Sequence, residues 1–393
     1  MPLTLPPDPE PFVLLDDARP VASGRARLYR DPVGIVTARR PEDVRPALER
    51  LREAGRSGLH VAGYLAYEAG LALEPALAPL ARTAGPDEPP LLWFGLFRDV
   101  AAFPAGDVPG LLPSPSLSGH GAAVPMSGEA EHAAALDRVL AYIRAGDIYQ
   151  ANVTLRATAP LTGDPLAAYA AIRPRAAMGH GALIRHDGRH ILCFSPESFF
   201  ALEDGQVEAR PMKGTAPRRA DPAEDVAEAM SLLADAKQRA ENLMIVDLIR
   251  NDLSRVCLPG SVRVPDLFTV ETYPTVHQMT SRVVGRLRGG LDAVDVIAAL
   301  FPCGSITGAP KIRAMEIIAE VERKPRYLYT GSIGCIEPQG NARFNVAIRT
   351  VSLDKGCGEG MIGIGSGIVA DSSPAGEWRE CLEKARFLER PGT

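Results

Sequence analysis

The sequence has no long block of basic residues and no long uninterrupted hydrophobic run. Its 393 residues carry a net charge of only −5. Nucleic-acid-binding and acidic-membrane-binding surfaces depend on clustered Lys and Arg, so neither class is favoured. The most apolar long stretch, residues 61–81, is interrupted by Glu68 and Glu74, which argues against a transmembrane helix. The first residues, MPLTLPPDPEPF, contain neither a basic nor an apolar segment, and we expect no signal peptide.

Cysteine is sparse as well. The six cysteines are scattered, and none forms a C-x-x-C pair or has a His-x-His partner nearby. This distribution argues against a disulfide framework or a zinc site, and it predicts reduced thiols in a cytoplasmic protein. Because 46% of the residues are hydrophobic, the chain can bury a substantial core, and we expect a folded protein.

A stretch rich in Pro, Gly, Ser and Ala, between about residues 103 and 130, divides the sequence. Such a composition cannot sustain a continuous helix or a central strand. We therefore predict an N-terminal region over residues 1–115 that packs on the same body as the rest, a linker or surface excursion over 116–130, and a main domain over 131–391.

Short turns separate the strand-like segments more often than helices do. This pattern favours an α+β fold with antiparallel sheets and helices on the outside. Predicted strands include Gly34–Thr37, Leu91–Phe97, Ala182–Ile184 and Ile191–Phe194. Predicted helices are Glu42–Arg52, Ala134–Ala145, Glu224–Leu253, Ile312–Val321 and Pro374–Leu388.

The predicted last helix brings two acidic residues together. Glu377 and Glu380 are three residues apart and therefore share a face. Two like charges at this spacing destabilise a helix by roughly 0.2–0.5 kcal/mol unless a cation such as Mg²⁺ neutralises them. The alternative is a solvated acidic face. The residues predicted to form the buried stripe of this helix are Trp378, Leu382 and Ala385.

Three further carboxylates lie in the apolar segment AENLMIVDLIRNDL, namely Glu241, Asp247 and Asp252. A carboxylate beside so many apolar residues is at least half buried and needs a partner. That partner is either a ligand in a functional site or, in a purely structural role, Arg239 or Arg250. The sequence alone leaves both open.

Two glycine-rich segments resemble nucleotide-binding loops but fail their patterns. In CGSITGAPK, residues 303–311, the second glycine comes one residue too early for a Walker motif, and isoleucine follows the lysine. GIGSGI, residues 363–368, is not G-x-G-x-x-G. Both segments can still present backbone N–H groups to an anion such as a carboxylate, because glycine lets the main chain approach closely.

The segment RPMKGTAPR, residues 210–218, places Lys213 directly before a glycine at which the chain can turn sharply. A lysine that acts as a nucleophile must be unprotonated, which requires desolvation or a neighbouring cation. Upstream, Glu197 follows the apolar strand segment ILCF and occupies a position suited to a general acid. An ordinary surface lysine is the alternative for Lys213.

Ordered motifs run through the last two thirds of the sequence. They are GDIYQANVT (146–154), SPESFF (195–200), PMKGTAPR (211–218), ENLMIVDLIRNDL (241–253), VETYPTVHQM (270–279), PCGSITGAPKIRAMEII (302–318), YTGSIGCI (329–336), NVAIRT (345–350), GSGIVADS (365–372) and the E-x-x-E-x-x-x-K of the last helix. With these motifs the sequence resembles the chorismate-utilising enzymes, which include the component I subunits of anthranilate and aminodeoxychorismate synthases and the isochorismate and salicylate synthases. The resemblance implies two antiparallel β-sheets packed as a sandwich with helices outside. It makes residues 131–391 the chorismate-binding catalytic domain.

The resemblance also implies roles for individual residues. Glu241, Glu377 and Glu380 match the family's Mg²⁺ ligands, which hold the metal against the ring carboxylate of chorismate. His277 matches its active-site histidine, and Glu197 would act as the acid. Positions that match the site for the other carboxylate are Tyr329, Arg349 and the backbone of Gly365, Ser366 and Gly367. Further positions assigned to the substrate site are Gln150, Gly214, Thr215, Thr307 and Lys384.

Two positions select a branch of the family. Anthranilate synthases carry alanine where this sequence has Lys213, and isochorismate and salicylate synthases carry a lysine where it has Gln150. Lysine at 213 together with glutamine at 150 points to the aminodeoxychorismate branch. This branch implies a covalent adduct between Lys213 and chorismate, replacement of the 4-hydroxyl group by ammonia, and a step toward p-aminobenzoate and folate. A separate glutamine amidotransferase would supply the ammonia, since no G-x-C-x-G nucleophile segment occurs.

Two alternatives stay open. One is an anthranilate synthase component I, although no L-L-E-S motif of tryptophan regulation occurs in the N-terminal part. The other, more remote, is a non-catalytic chorismate-binding regulatory subunit, which would need neither an acid nor a metal cage. The sequence departs from the family at Cys303, where glycine is usual, and at Met212, where isoleucine is usual. Both are apolar exchanges beside the site that remove no functional group.

Overall fold

The computed structural model describes residues 3–19, 24–273, 276–354 and 356–389. Residues 274 and 275 of the VETYPTVHQM motif lie outside the described residues. The same holds for residues 1, 2 and 20–23 of the predicted N-terminal region and for residues 355 and 390–391 of the predicted main domain.

The described residues form β-strands, often several in succession, and α-helices. In chain order the strands are β1 (Phe12–Asp16), β2 (Arg25–Arg30), β3 (Gly34–Ala38), β4 (His60–Leu65), β5 (Leu92–Phe97), β6 (Ala101–Pro104), β7 (Ser118–His120), β8 (Val124–Pro125), β9 (Gln150–Gly163), β10 (His180–His186), β11 (Arg189–Ser195), β12 (Ser198–Glu203), β13 (Gln206–Ala209), β14 (Met212–Pro217), β15 (Arg263–Thr272), β16 (Val276–Arg286), β17 (Gly308–Ala309), β18 (Ser332–Ile336), β19 (Ala342–Asn345), β20 (Thr350–Leu353) and β21 (Glu359–Ile368). The α-helices are α1 (Pro41–Arg56), α2 (Ala69–Leu73), α3 (Glu129–Ala145), α4 (Pro165–Ala176), α5 (Pro222–Ala234), α6 (Ala236–Ser254), α7 (Ala293–Leu300), α8 (Lys311–Val321) and α9 (Pro374–Ala385). Within the described ranges, no helix has the length and apolar character needed to cross a membrane.

The strands pair antiparallel in two sheets. The larger sheet has the order β17-β9-β21-β20-β11-β10-β1-β2-β6, with β7 and β8 also on β9. The smaller sheet has the order β14-β16-β13-β12-β19-β18-β4-β5-β3, with β15 also on β16. The predicted α+β architecture of two antiparallel sheets and helices is confirmed.

A hydrophobic core joins the facing sides of the two sheets. Val13 of the larger sheet lies in one buried cluster with Trp93 and Ile333 of the smaller sheet. His186 of β10 stacks on Trp93 with 4.4 Å between ring centroids, and its Nε2 contacts the Tyr64 hydroxyl at 3.2 Å. Helices α4 and α9 pack on the outer face of the larger sheet, and α1 and α6 pack on that of the smaller sheet. The sheets therefore share one core, and each has a second core under its helices.

The N-terminal strands are divided between the sheets. Strands β1, β2 and β6 join the larger sheet, and β3, β4 and β5 join the smaller one. Residues on both sides of the Pro- and Gly-rich stretch thus build the same core. Within residues 116–130, β7 and β8 pair with β9, and no side chain is buried. The exact division into residues 1–115, 116–130 and 131–391 stays a prediction.

The prediction of a single helix over Glu224–Leu253 is wrong. The helix is interrupted at Asp235, which separates α5 from α6. The Asp235 carboxylate accepts hydrogen bonds from the N–H groups of Lys237 and Gln238, at 2.8 and 3.0 Å. It therefore caps a new helix, and this new start determines which residues of α6 face β14.

The predicted buried stripe of α9 is only partly correct. Its buried residues are Cys381 and Ala385, whereas Trp378 and Leu382 are half-buried. The smaller residues lie nearest to β21, and the Trp378 ring packs beside the His132 ring of α3 with 5.5 Å between centroids. The small residues thus allow α9 to approach the sheet closely, and the large Trp378 ring lies to one side.

Candidate active site

Lys213 lies at an irregularity of the edge strand β14. The pairing of β14 with β16 shifts register between Met212 and Thr215. Gly214 has a φ of 96°, in the left-handed region that glycine adopts without a steric cost. Such an irregularity redirects the side chains next to it relative to a regular ladder. The glycine that follows Lys213 in sequence therefore determines where the lysine points.

The Lys213 amine lies where the edges of the two sheets meet. Its Nζ is 3.3 Å from Glu241 Oε2 of α6, and the lysine side chain is only 20% exposed. It also lies over Gly367 of β21, where a Cβ atom would come within 2.7 Å of Nζ and 3.1 Å of Gln150 Nε2. Lys213 is thus mostly buried, unlike an ordinary surface lysine.

Helix α6 also holds the backbone of this lysine. Asn242 Nδ2 donates to the Lys213 carbonyl at 3.4 Å, and Asn242 Oδ1 accepts from Ser281 Oγ of β16 at 2.6 Å. Asn242 directly follows Glu241. One helical turn therefore fixes the lysine backbone and provides the carboxylate that its amine contacts.

Gln150 is a buried amide without a partner. Its side chain is fully buried, and neither Oε1 nor Nε2 makes a hydrogen bond to any described residue. Leaving a buried polar group unpaired costs about 1–3 kcal/mol. Such groups are rare in folded proteins and call for an explanation. A polar ligand beside Lys213 would provide one.

Glu197 is the second buried acid of the site. Its backbone N–H donates to Ser195 Oγ at 3.1 Å, and its Oε1 is buried without a partner among the described residues. Burial raises the pKa of Glu197 to about 7, against the opposing effects of a hydrogen bond from Ser305 and the charges of Lys213 and Lys384. A carboxyl group that titrates near neutral pH is suited to donate a proton.

Helix α9 brings Glu380 and Lys384 to the site. Lys384 Nζ is 2.7 Å from Glu380 Oε1 and donates to the Gly365 carbonyl at 3.0 Å. Burial disfavours the Glu380 carboxylate, but the nearby Lys384 outweighs burial and lowers the pKa of Glu380, with a further contribution from Lys213. Glu377 has a buried Oε2 without a hydrogen-bond partner in the described part of the chain. Glu377 is thus partly buried, whereas the Glu380 side chain is 49% exposed and pairs with Lys384.

Arg349 is a half-buried cation that pairs with no carboxylate among the described residues. Its Nη1 contacts Met178 Sδ at 3.5 Å, and burial lowers the pKa of the guanidinium. Its backbone has a φ of 49°, a strained conformation that is frequent at functional sites. A buried charge needs a counter-charge, and an anionic ligand could supply it.

The predicted carboxylate-binding backbone of Gly365, Ser366 and Gly367 lies on an open edge of β21. Strand β20 pairs with β21 only at Met361 and Ile362, whereas β9 pairs along β21 as far as Ile368. Gly365, Ser366 and Gly367 therefore lie on a segment that β20 does not cover. An unpaired edge presents backbone polar groups, and Lys384 binds one of them.

Tyr329 borders the same strand. Its ring lies against Gly363, where a Cβ atom would come within 2.0 Å of two ring carbons. Burial raises the pKa of the Tyr329 hydroxyl group, so the phenol stays protonated and can donate a hydrogen bond. The predicted anion-binding tyrosine and the glycine-rich strand are thus neighbours.

Two predicted substrate residues bind protein partners instead. Thr307 is fully buried, and its Oγ1 donates to the Cys303 carbonyl at 3.1 Å. Thr215 is exposed, and its Oγ1 donates to Gln278 Oε1 at 2.9 Å. These bonds stabilise the loop before β17 and the irregular part of β14. A direct role of either hydroxyl toward a ligand stays a prediction.

His277 lies on β16, opposite Ala216 of β14. Its Nε2 is 2.9 Å from Asp225 Oδ1, and its Nδ1 is 3.0 Å from Thr272 Oγ1. Both ring nitrogens are therefore held by protein groups, and neither contact is to Lys213. The predicted catalytic role of His277 stays a prediction.

Of the three α6 carboxylates, only Glu241 contacts Lys213. Asp247 pairs with Arg250 at 2.7 Å, and Asp252 pairs with Lys311 at 2.5 Å. Lys311 is the lysine of the segment that fails the Walker pattern. Its observed role is to neutralise a buried carboxylate.

Comparison with known families identifies the chain's relatives. The family described as chorismate binding enzyme matches residues 10–390. The chain belongs to this family.

Members of the chorismate binding family with different names are similar to this chain. Aminodeoxychorismate synthase component 1 of Klebsiella aerogenes is 45% identical over 251 residues, which are 64% of this chain and 55% of that protein. Anthranilate synthase component 1 of Streptomyces coelicolor is 44% identical over 263 residues, which are 66% of this chain and 51% of that protein. The aligned part thus spans about half the length of these relatives. The solved structure of anthranilate synthase component I from Streptococcus pneumoniae has a TM-score of 0.80 at 25% identity and covers 99% of this chain and 94% of that chain.

The Mg²⁺ expected from the family can be tested against the donors present. Among the described residues, no three His, Cys, Asp or Glu side chains converge into a ready-made metal cluster. Glu241 and Glu380 each contact a lysine, and Glu377 has an unpartnered buried oxygen. Mg²⁺ needs only one or two protein carboxylates together with water and substrate oxygens. The donor chemistry of these residues therefore fits Mg²⁺.

Sequence analysis missed Arg326, which ties several parts of the site together. It donates to the Asn152 carbonyl of β9 at 2.6 Å and to the Ile306 carbonyl at 2.9 Å. It pairs with Glu322 at 2.7 Å, and its backbone N–H donates to Glu68 at 2.6 Å. The only available signal was the carboxylate of Glu68 within the apolar segment GYLAYEAG.

Asp225 was also missed. It lies near the start of α5, contacts His277, and pairs with Arg218 at 2.8 Å. The hydrogen bond from Arg218 lowers the pKa of Asp225. An acidic residue in the first turn of a helix is so common that its sequence position suggested only a helix start.

Proposed function

We propose that this chain aminates chorismate at C4 as the component I of an aminodeoxychorismate synthase. The observation that carries the proposal is the position of Lys213, whose amine lies between Glu241 and Gly367 and close enough to Glu197 to affect its titration. The activity name comes from relatives that are 43–45% identical over part of their length. The product would lead toward p-aminobenzoate and folate.

Glu197 and Lys213 would share the chemical work. Glu197 donates its proton to the 4-hydroxyl group, which leaves as water while the free Lys213 amine attacks C2 and both conjugated ring double bonds shift by one position toward C4. Ammonia then adds at C4, both double bonds shift back, and the bond between C2 and the lysine nitrogen breaks, which returns the free lysine amine. The proton that the ammonia nitrogen gives up restores Glu197. Covalent catalysis thus divides one difficult displacement into two allylic ones.

The resting site has to rearrange before this attack. A lysine attacks only as the free amine, and Lys213 pairs with Glu241 at 3.3 Å. Substrate binding would therefore have to separate this pair.

The remaining residues would bind and orient the substrate. Glu241, Glu377 and Glu380 would hold Mg²⁺, which supplies positive charge against the ring carboxylate of chorismate when it is bound. Arg349, Tyr329 and the open edge at Gly365–Gly367 would bind the second carboxylate. The unpaired amide of Gln150 would bind a polar group beside Lys213.

The ammonia would come from a partner protein. The designation "component 1" of the relatives implies a second component, and we infer a glutamine amidotransferase on a separate chain.

The free cysteines of the described residues are consistent with the cytoplasmic location inferred from the sequence.

The second candidate is an anthranilate synthase component I. Anthranilate synthase component 1 of Streptomyces coelicolor is nearly as similar as the aminodeoxychorismate synthase relatives, so overall identity does not separate the two activities. The lysine at position 213 favours amination at C4, because it provides a nucleophile for the covalent step.

A product assay separates these candidates. The purified chain would be incubated with chorismate, Mg²⁺ and an ammonium salt, and the products resolved by liquid chromatography with mass detection. We expect 4-amino-4-deoxychorismate, no fluorescent anthranilate, and loss of activity when the divalent cation is chelated. Direct formation of anthranilate would refute the proposal.

The covalent step is tested by substitution. Lys213→Ala should lose ammonia-dependent activity, whereas Lys324→Ala, at an exposed lysine, should retain it. Full activity of Lys213→Ala would exclude the lysine adduct even if the product is the expected one. A regulatory subunit without activity would give no product with either variant or with the unmodified chain.

A further inference from the structure

The loop that carries Tyr329 has an unusual backbone. Residues 326–330, which we call the Tyr329 loop, lie between α8 and β18. Tyr327 and Thr330, on either side of Tyr329, have φ values of 56° and 61°. Such left-handed conformations are uncommon for residues other than glycine, and they persist only where the surrounding structure holds them. The loop therefore depends on anchors outside itself.

The predicted N-terminal region supplies four of these anchors. Glu68 Oε1 accepts the Arg326 N–H at 2.6 Å, and Glu68 Oε2 accepts the Tyr327 N–H at 3.1 Å. The Tyr67 N–H donates to the Tyr327 carbonyl at 2.8 Å, and the Tyr327 hydroxyl donates to Glu88 Oε1 at 2.7 Å. A single carboxylate, that of Glu68, thus holds two successive N–H groups of the loop.

Glu68 is a charged side chain in the apolar segment GYLAYEAG, and it is only 6% exposed. Glutamate is almost never buried to this extent unless it is paired, because burial of a carboxylate is costly. Its two oxygens explain the choice of residue: glutamine has the same length but offers one acceptor oxygen only. The position thus calls for a two-oxygen acceptor rather than for an apolar core residue.

We propose that Glu68 and Glu88 position Tyr329 for the second carboxylate of the substrate. The inference rests on the proposed function only in taking Tyr329 as a ligand of that carboxylate. Both glutamates are positioning residues, because they act through the Tyr329 loop.

The main domain holds the other end of the loop. The Thr330 N–H donates to the Ala347 carbonyl at 2.9 Å, and Leu328 is buried in the core between the sheets. The Tyr329 ring lies against Gly363, two residues beyond the backbone that Glu68 holds. Release of the N-terminal anchors would therefore leave one end of the loop fixed and let the Tyr329 ring move away from β21.

The kinetic signature follows from the part of the substrate that Tyr329 binds. The second carboxylate of chorismate belongs to the enolpyruvyl group, which amination at C4 leaves unchanged. Bonds to it thus stabilise the bound substrate and the transition state equally. Loss of such uniform binding raises KM and leaves kcat unchanged.

The first test is Glu68→Gln, which keeps the size of the side chain and turns an amide N–H₂ group toward one of the two backbone donors. We expect KM for chorismate to rise about tenfold, as for loss of one hydrogen bond to a charged group, with kcat within about twofold of that of the unmodified chain. Glu53→Gln, at an exposed glutamate of α1, is the matched control and should change neither constant.

Tyr329→Phe distinguishes positioning from a general loosening of the structure. Residues that act as a unit have non-additive effects. If Glu68 acts through the Tyr329 hydroxyl, Glu68→Gln should raise KM by less than about twofold when Tyr329→Phe is already present. An equal rise in both backgrounds, or an unchanged KM in Glu68→Gln alone, overturns the inference.

A measurement without substrate separates this inference from the proposed reaction. Amide hydrogen exchange of the full chain, followed by mass spectrometry on a peptide containing residues 326 and 327, should be faster in Glu68→Gln than in Glu53→Gln. Faster exchange together with a higher KM supports the inference even if the product is anthranilate, and unchanged exchange overturns it whatever the product. Tyr327→Phe removes only the bond to Glu88 and should raise KM about two- to threefold. If Glu68→Gln does not fold, an unchanged KM in Tyr327→Phe overturns the inference.

Discussion

The substitution Gly367→Ala tests whether the position of the Lys213 amine is what makes the site active. An added Cβ atom would lie 2.7 Å from Lys213 Nζ and 3.1 Å from Gln150 Nε2, whereas ordinary contacts begin at 3.4 Å. The amine would therefore have to move by about 0.7 Å. A displacement on the order of 1 Å at a reacting atom can cost about 100-fold in rate. We expect kcat to fall by about 10- to 100-fold.

The cost to folding should be small. The nearest atom to the new Cβ is the end of a flexible lysine side chain, which can move without disturbing the backbone. Gly367 does not have a positive φ, so alanine fits its backbone. We therefore expect a melting temperature close to that of the unmodified chain, together with a large loss of ammonia-dependent product formation.

Gly363→Ala provides the matched control on the same strand. Its Cβ would lie 2.0 Å from two carbons of the Tyr329 ring, which cannot bend away, so overpacking should cost about 1–3 kcal/mol of folding stability. The two variants should thus separate: Gly367→Ala stable but slow, and Gly363→Ala less stable. Unchanged kcat in Gly367→Ala, or a rate loss that only follows a loss of stability, would refute the argument about Lys213.

Three further results are expected. Arg326→Met leaves the buried Glu322 carboxylate without its cation and should lower the free energy of unfolding by about 3–5 kcal/mol, as measured by urea titration; a change below 1 kcal/mol would contradict the role of Arg326. Asp225→Asn removes the charge that contacts His277 and should lower kcat about tenfold if His277 is catalytic, whereas an unchanged kcat would argue against that role. The pKa of Glu197 is raised from 4.5 to about 7, so the folded state binds this proton more tightly than the unfolded state does. The resulting stabilisation of about 3 kcal/mol at low pH is lost as the pH rises through the range between these two pKa values. In chemical unfolding, the free energy of unfolding of Glu197→Gln should therefore increase relative to that of the unmodified chain as the pH is raised from about 5 to about 8.

Regular elements were predictable from local patterns. The strand pair around Asp187 and Gly188, predicted from an apolar alternation broken by turn residues, is observed as β10 and β11. The break at Asp235 was not predictable from periodicity, because the sequences on both sides are helical and only the side-chain cap reveals the new start. Sheet order also depends on long-range pairing, and no short segment indicates that β1 lies beside β10.

The candidate site shows the same division between local and long-range information. The sequence motifs identified Lys213, Glu197 and Glu241, but only the fold shows that β14, β9 and β21 bring Lys213 against Gly367 and Gln150. No sequence motif marks Arg326, because it donates hydrogen bonds to backbone carbonyl groups, which every residue type has.

Unpaired buried polar atoms support the assignment of Gln150, Glu197 and Glu377 to a ligand-binding site, although such atoms also occur elsewhere among the described residues, as at Tyr29, Tyr67 and Trp93. Gln150 has two such buried atoms, and Glu197 and Glu377 have one each. Each unpaired atom costs about 1–3 kcal/mol. Gln150 lies on β9, Glu197 between β11 and β12, and Glu377 on α9. A protein that kept them only for stability would be better served by apolar side chains of similar size. A ligand with carboxylate and hydroxyl groups would offset much of this cost when it binds, so the same atoms would contribute to affinity for chorismate.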